Sequence, residues 1–432
     1  MGESTQTGLS LTRRLQVAKR ILATKLRFSI ATTELFSRIE KIRGQIKLAS
    51  SKTAAASHLM TAHRTTRSRK RQIKIEKILL KNDLLAKDIM TPLLPKSGAG
   101  RDFWDKRVIK MKEKQSDERG VLVVSFDVFG QMAALYDMAA ILRDYYFVLE
   151  PSWSGYCLPG VLQFLNHPND RVIVQSPEKL DYDFLQRLKS NLIPIEIGAS
   201  NWVDDRTFND LGLKKEYDCV MVSHFGDLKR HFVLFDALRT INDPSFRVCL
   251  IGEPWGGRTR EDLLDLARYY GVAQCLDIYQ LVSAEEVNRL LNLSKVNILL
   301  SRKEGANRSI FEGLFANVPG IVLKSNCGVN KNYINEYSGR LIEDDGLAEA
   351  LLWFRSNPTT IQPRKWALNN ISCQISTRRL EEMLQGIAKD MGNKWTGKLT
   401  TKVNRPEFEY YDETLSKFDF EHYSLTRVHQ AH

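Results

Sequence analysis

Glu304 and Glu312 lie eight positions apart in the stretch VNILLSRKEGANRSIFEGLFANVPGIVL, residues 296–323. Between them, Gly305, Ala306, Asn307, Arg308 and Ser309 are mostly small or helix-capping types. Carboxylates so placed can accept hydrogen bonds from hydroxyl groups. Backbone N–H groups at a helix start have no intrahelical partner and can hold an anion. Hydroxyls for the carboxylates and a diphosphate for the N–H groups together describe a sugar nucleotide. Two glutamates at this spacing also arise by chance on solvated surfaces, so the surrounding elements decide between the two. A second cluster, Lys229-Arg230-His231, sits where a helical pattern begins. The helix dipole disfavours cations there, and a bound anion would offset that cost.

The elements favour the site. Val296 to Leu300 is an apolar run with the length of a buried parallel strand. A polar loop, 301–307, follows. Ile310, Phe311, Leu314 and Phe315 then repeat at helical spacing, and a turn over 317–320 leads into a second strand, 321–323. This predicts one right-handed strand–helix–strand unit, in which ligands bind beyond the carboxyl ends of the strands. Similar alternations recur. Strands are expected at 120–126, 146–149, 171–175 and 192–197, and again at 217–223, 247–252, 276–279 and 339–342, with helices between them. Such alternation argues for parallel sheets covered on both faces.

The stretch from Glu304 onward resembles the donor-site signature of retaining GT-B glycosyltransferases of family four, among the glycosyl transferases group one. That signature is E-G, five residues, an apolar residue, then E-A-x-A-x-G-x-P-V-V. Here Glu312 is followed by GLFANVPGIV, with Gly313 for the usual Ala and Asn317 in the usual turn. The resemblance implies an α/β fold of two Rossmann-like lobes facing a cleft. It implies sugar transfer from a nucleotide-diphosphate donor, with retention of configuration, to a glycan, lipid-linked or other acceptor. Glu304 would face the donor sugar and Glu312 the ribose hydroxyls. The family's V-G-R-x-x-x-x-K is similar to residues 222–229, with His224 in the Arg place and Lys229 in the Lys place. Glu304 and Lys229 are the expected catalytic residues. Glu312, His224, residues 305–309, Gly252 and Arg258 are the expected donor-binding ones. On the acceptor side, Gly130 stands where the family has a glycine-rich turn. His167 and the aromatic segment 150–160 are further candidates. No metal and no other cofactor is expected, because no Asp-x-Asp motif lies in the loops concerned. Two alternatives stay open: a non-catalytic sugar-nucleotide-binding or assembly protein, and a sugar-nucleotide epimerase on the same fold.

The 432 residues allow two domains with extensions. The expected division is a basic helical extension over 1–96, an acceptor-side domain over 101–200, a nucleotide-sugar domain over 201–388 and a tail over 389–432. Residues 1–96 hold 21 Lys or Arg against 6 Asp or Glu, so the net charge of +12 resides there. Residues 10–50 and 70–92 read as basic amphipathic helices. Leu35, Ile39, Ile42 and Ile46 form one stripe, and Leu15, Leu22 and Leu26 another. Such helices suit either an anionic membrane surface or self-packing with a solvated basic face. Few aromatics and no recognisable module argue against nucleic acid. The six cysteines are scattered without metal spacing, which suggests buried thiols in a reducing compartment. No apolar run reaches the ~18 residues of a membrane span, and no leader is evident. The expectation is a cytoplasmic protein, peripheral on the inner face of a membrane, working in surface polysaccharide or glycoconjugate synthesis.

Overall fold

The computed structural model describes residues 9–31, 34–66, 68–90, 93, 106–126, 128–152, 158–305, 307–357, 361–405 and 408–425. These form two compact units. One runs from Phe28 to Trp202 and continues from Cys373; the other joins the residues up to Arg27 with Val203–Ser372.

The Phe28–Trp202 unit holds a five-stranded sheet: β1 (Val108–Lys112), β2 (Gly120–Ser125), β3 (Tyr145–Glu150), β4 (Val172–Gln175) and β5 (Leu192–Ile195). Their order across the sheet is the order in the chain, with β1 antiparallel to β2 and the others parallel. Val123, Val148, Ile173 and Ile193 lie in register across β2 to β5. Both faces are covered, which is why these strands are continuously apolar rather than alternating. Leu122, Val124, Phe147 and Leu149 pack with Leu59, Ile75 and Leu79 from the helices Lys52–Thr65 and Arg69–Lys81. Val121, Val123, Tyr146 and Val148 pack with Leu380 and Leu384 from the helix Cys373–Asp390.

Four features of this unit differ from the sequence expectation. β1 went unread because its pattern, VIKMK, places two lysines in a short run. Both are buried: Lys110 reaches Glu113, and Lys112 reaches Glu118. The helix Lys52–Thr65 occupies a stretch rich in Ser, Thr and Ala that resembles a connector. The periodicity of 366–384 reads as a single helix, but the structure has two, Pro363–Asn370 and Cys373–Asp390, one in each unit. The tail, without assignable pattern, forms an antiparallel hairpin (Lys402–Asn404 with Phe408–Tyr410) and sends Phe418, Phe420 and Tyr423 into the core. Beneath that hairpin, Lys402 is fully buried against Glu150 at 2.9 Å and lies over the Trp202 ring.

The second unit holds six parallel strands: β6 (Cys219–Val222), β7 (Val248–Gly252), β8 (Leu276–Gln280), β9 (Asn297–Leu299), β10 (Gly320–Leu323) and β11 (Gly339–Ile342). Their order is β11-β10-β9-β6-β7-β8. The chain moves outward from β6 to β8, returns to β9 on the other side of β6, and moves outward again. The reversal lies between β6 and β9, the place where doubly wound sheets bind ligands. Val17 and Ile21 of the helix Leu11–Ala31 also lie in this unit's core. Arg13 of the same helix pairs with Asp265 at 2.5 Å, and Arg20 with Asp227 at 3.0 Å. Among the described residues no helix is long and apolar enough to cross a membrane. Cys219, Cys249 and Cys275 are buried free thiols, Cys373 is buried with its thiol donating to Gln374, Cys327 is partly buried, and Cys157 falls outside the described residues.

Candidate functional site

The carboxyl ends of β6 and β9 deliver the two loops expected to carry the chemistry. After β6, Ser223 and His224 lead into a 3-10 turn, Asp227–Lys229. Arg230 follows with φ +60 and opens the helix His231–Ile241. After β9 come Ser301 to Glu304. Lys229 and Glu304, 75 residues apart in sequence, meet here. Lys229 Nζ donates to both carboxylate oxygens of Glu304, at 2.7 and 3.0 Å. Ser301 Oγ donates to the same carboxylate. Lys229 and Glu304 are both buried. The residues expected to serve the sugar and the diphosphate separately are therefore one ion pair at the strand-order reversal.

The backbone around Glu304 is tightly built. Its N–H donates to Cys327 O at 2.8 Å, and Asn326 Nδ2 donates to Ser301 O at 2.8 Å. Gly328 has φ +114, and a Cβ there would stand 2.1 Å from Glu304 O. Only glycine fits both the conformation and the approach. The loop 325–329 thus holds Glu304 from behind. Gly252, at the end of β7, is similarly close: a Cβ would come within 2.0 Å of Ser223 O.

His224 stacks on Trp255, ring centroids 5.2 Å apart. Its Nδ1 accepts the Gly226 N–H at 3.1 Å. Burial, and then the Lys229 charge, lower the imidazole to about 4. At neutral pH the ring is uncharged, and with Nδ1 accepting, the proton belongs on Nε2. Buried His231, whose Nε2 lies 3.2 Å from Ser223 Oγ, is lowered further, to about 3, chiefly by burial. Arg230 donates to Leu300 O at the end of β9. Its burial, then the charge of Arg302, lower it to about 10. Arg230 and Arg302 both approach Asp344, at 3.5 and 2.9 Å.

The remaining expected residues are placed as follows. Arg258 donates to Asp227 at 2.8 Å, and Asp227 also takes Arg20. Burial opposes ionisation of Asp227, but the two guanidiniums outweigh it and hold the carboxyl below its usual range. The helix Ser309–Phe315 starts at Arg308 without a side-chain cap, and Asn307 Oδ1 accepts the Ile310 N–H at 3.4 Å. Gly305 lies in the loop; Ala306 is outside the described residues. Among the described residues the Glu312 carboxylate pairs with Arg308 alone, at 3.9 Å, and burial raises its pKa. In the other unit, Gly130 lies in the helix Phe129–Leu135 beyond the carboxyl end of β2. His167 lies in the turn before β4, at the opposite end of the strands, where its carbonyl accepts from Asn191 at 2.8 Å. Of the segment 150–160, residues 153–157 are outside the described residues.

Two departures from the family signature have local reasons. Asn317 holds φ +60, a left-handed conformation that Asn tolerates better than other side chains. A Cβ on Gly313 would come within 2.7 Å of Asn297 Nδ2, which donates to Ser309 O. Sequence reasoning missed Ser301, Asp227 and Asp344. Each is an ordinary loop residue locally, and its role comes from a partner brought in by the sheet.

Known proteins resemble this chain in sequence and in fold. Residues 203–371 match the family model described as glycosyl transferases group 1. Curated proteins yield no match. A sucrose-phosphate synthase from Thermosynechococcus elongatus superposes with a TM-score of 0.50 at 13% identity, covering 62% of this chain and 74% of that one. Anabaena HepE, solved in complex with UDP, gives 0.48 at 14% identity over 61% and 78%. TarM of S. aureus gives 0.45 at 14% identity over 58% and 52%, so this chain spans about half of TarM. With its β6–β9 reversal and the loops that reversal brings together, the stretch 203–371 is a domain of the glycosyl transferases group 1 family.

Proposed function

We propose that this domain moves a sugar from a nucleoside diphosphate donor to an acceptor hydroxyl, with retention of anomeric configuration. The observation that supports it most is the buried Lys229–Glu304 pair at the strand-order reversal. As the sugar–phosphate bond breaks, negative charge grows on the departing diphosphate. Lys229 is a cation already desolvated at the site, and His224 offers a neutral Nε2–H beside it. Donors fixed in place before charge develops stabilise the transition state without reorganising. Glu304, steadied by Ser301 and the 325–329 loop, accepts from donor-sugar hydroxyls. Glu312, with little charge compensation of its own, accepts from the ribose. As the donor binds, the diphosphate draws the Lys229 ammonium from Glu304, and no metal ion is part of this proposal.

The test is a thermal-shift screen against UDP, GDP, ADP and their sugar conjugates, followed by turnover with the conjugate that binds. A ligand that binds the folded state alone raises the melting temperature by mass action. One base is expected to do so, and Lys229→Ala is expected to lower donor turnover by about 100-fold or more. No shift with any nucleotide would overturn the donor site. Binding without turnover, or release of free epimerised sugar, would move the protein to the alternative classes.

A further inference from the structure

The helix Glu34–Lys47 turns its apolar stripe away from the protein. Leu35, Ile39, Ile42 and Ile46 are 64, 38, 55 and 67% exposed. The buried side is instead Ser37, Glu40 and Gly44. Gly44 allows the close approach, since a Cβ there would stand 2.6 Å from Leu59 Cγ. Ser37 Oγ donates to Ala62 O at 2.7 Å, and Glu40 takes Arg43 and His58. The small and polar side is thus fixed to the helix Lys52–Thr65, and four branched apolar side chains are held outward.

A cavity of about 330 Å³ adjoins the stripe and shares Ile42 with it. Its other walls are Arg38, Lys41, Lys70, Arg71, Lys74 and Ser68, with no acidic residue. Arg71 is paired with Glu34. Among the described residues Arg38, Lys41, Lys70 and Lys74 have no ion-pair partner. An apolar stripe beside a cationic pocket matches the boundary of a bilayer, where acyl chains meet phosphate headgroups. A second copy fits poorly, because a two-fold contact would bring the same cations together. On its own unit, the helix Leu11–Ala31 repeats the pattern: Val17 and Ile21 are buried, while Leu11, Leu15, Leu22 and Leu26 are exposed.

We propose that the exposed face of Leu35, Ile39, Ile42 and Ile46, with the adjoining cationic cavity, docks this chain on an anionic lipid bilayer. The apolar side chains enter the acyl boundary, and a headgroup phosphate fills the cavity. With no described helix able to span, the attachment is interfacial and reversible.

The test is co-sedimentation of the full chain with phosphatidylcholine vesicles, with and without about a third phosphatidylserine. Two double variants are compared: Ile39→Glu with Ile42→Glu, and Lys70→Glu with Lys74→Glu. These side chains are exposed or line the cavity rim, so melting temperatures should stay at the wild-type value. The wild type is expected to pellet with the anionic vesicles alone. Each double variant is expected to lower the partition coefficient about tenfold or more. Equal binding to neutral vesicles, or no loss in either variant, overturns the proposal. So does a dimer that the isoleucine variant abolishes without any lipid partitioning, or stabilisation by inorganic phosphate without vesicle binding.

Discussion

The Lys229–Glu304 pair can be perturbed from either side. Unit charges 2.7 Å apart attract by about 6 kcal/mol at an effective dielectric of about 20. Desolvation of both groups cancels much of that. What remains sharp is the cost of removing one partner, which strands a buried charge and costs about 3–5 kcal/mol. In a unit of this size each kcal/mol moves the melting temperature by roughly 2–4 °C. Lys229→Met and Glu304→Leu should therefore each lower it by roughly 6–20 °C. The double variant, which removes both charges and keeps the volume, should regain most of the loss, giving strong non-additivity. Melting in the presence of a nucleoside diphosphate adds a second reading. In Glu304→Leu the freed ammonium is available to the diphosphate, so that ligand should stabilise this variant more than the wild type. Thermal scans of the four proteins, each with and without UDP, GDP or ADP, check both points. Single variants within about 2 °C of wild type, or losses that simply add, would show the pair to be solvated and refute the reasoning.

Glu312→Gln should leave the unliganded melting temperature unchanged or raised at pH 7.5, because burial lifts that carboxyl's pKa and Arg308 compensates it only at 3.9 Å. The same change should weaken nucleoside diphosphate binding about tenfold by titration calorimetry, whereas loss of the Glu304 carboxylate should not weaken it. His224 and His231 have folded pKa values of about 4 and 3. Both lie below the unfolded value of about 6.5, so the unfolded chain binds more protons and stability falls as pH drops from 6.5 toward 4. His231→Gln should flatten that slope in denaturant titrations; an unaltered slope would exclude the histidine. Lys402→Met should cost about 3–5 kcal/mol by stranding Glu150, and adding Glu150→Leu should restore most of it.

Much of the second unit was legible because its strands are short continuous apolar runs bounded by Gly and polar turns. Runs such as 247–252 and 296–300 allow few other readings. The loops carrying His224, Lys229 and Glu304 could also be placed. That Lys229 touches Glu304 could not, since it depends on β9 returning beside β6 rather than extending past β8. β1 was hidden by Lys110 and Lys112, whose burial relies on Glu113 and Glu118 as partners. Helical periodicity in 34–47 correctly gave one apolar face. Which face would be buried was decided by Gly44, a residue that periodicity treats as neutral. Asn317 and Gly313 looked like departures from a signature until their backbone angle and nearest neighbour were visible.

Neither unit is a continuous piece of chain, and this bears on the order of events during synthesis. The first helix needs Phe232 and its neighbours to bury Val17 and Ile21, yet the whole of 28–202 is made in between. At about 5–20 residues per second this wait is roughly 9–35 s. The Phe28–Trp202 sheet likewise lacks the cover of Leu380 and Leu384 until nearly all the chain is made. Newly made protein therefore passes through a long interval with incomplete cores and leucine-rich helices in the open, the period in which a ribosome-bound chaperone or a nearby surface would determine its yield.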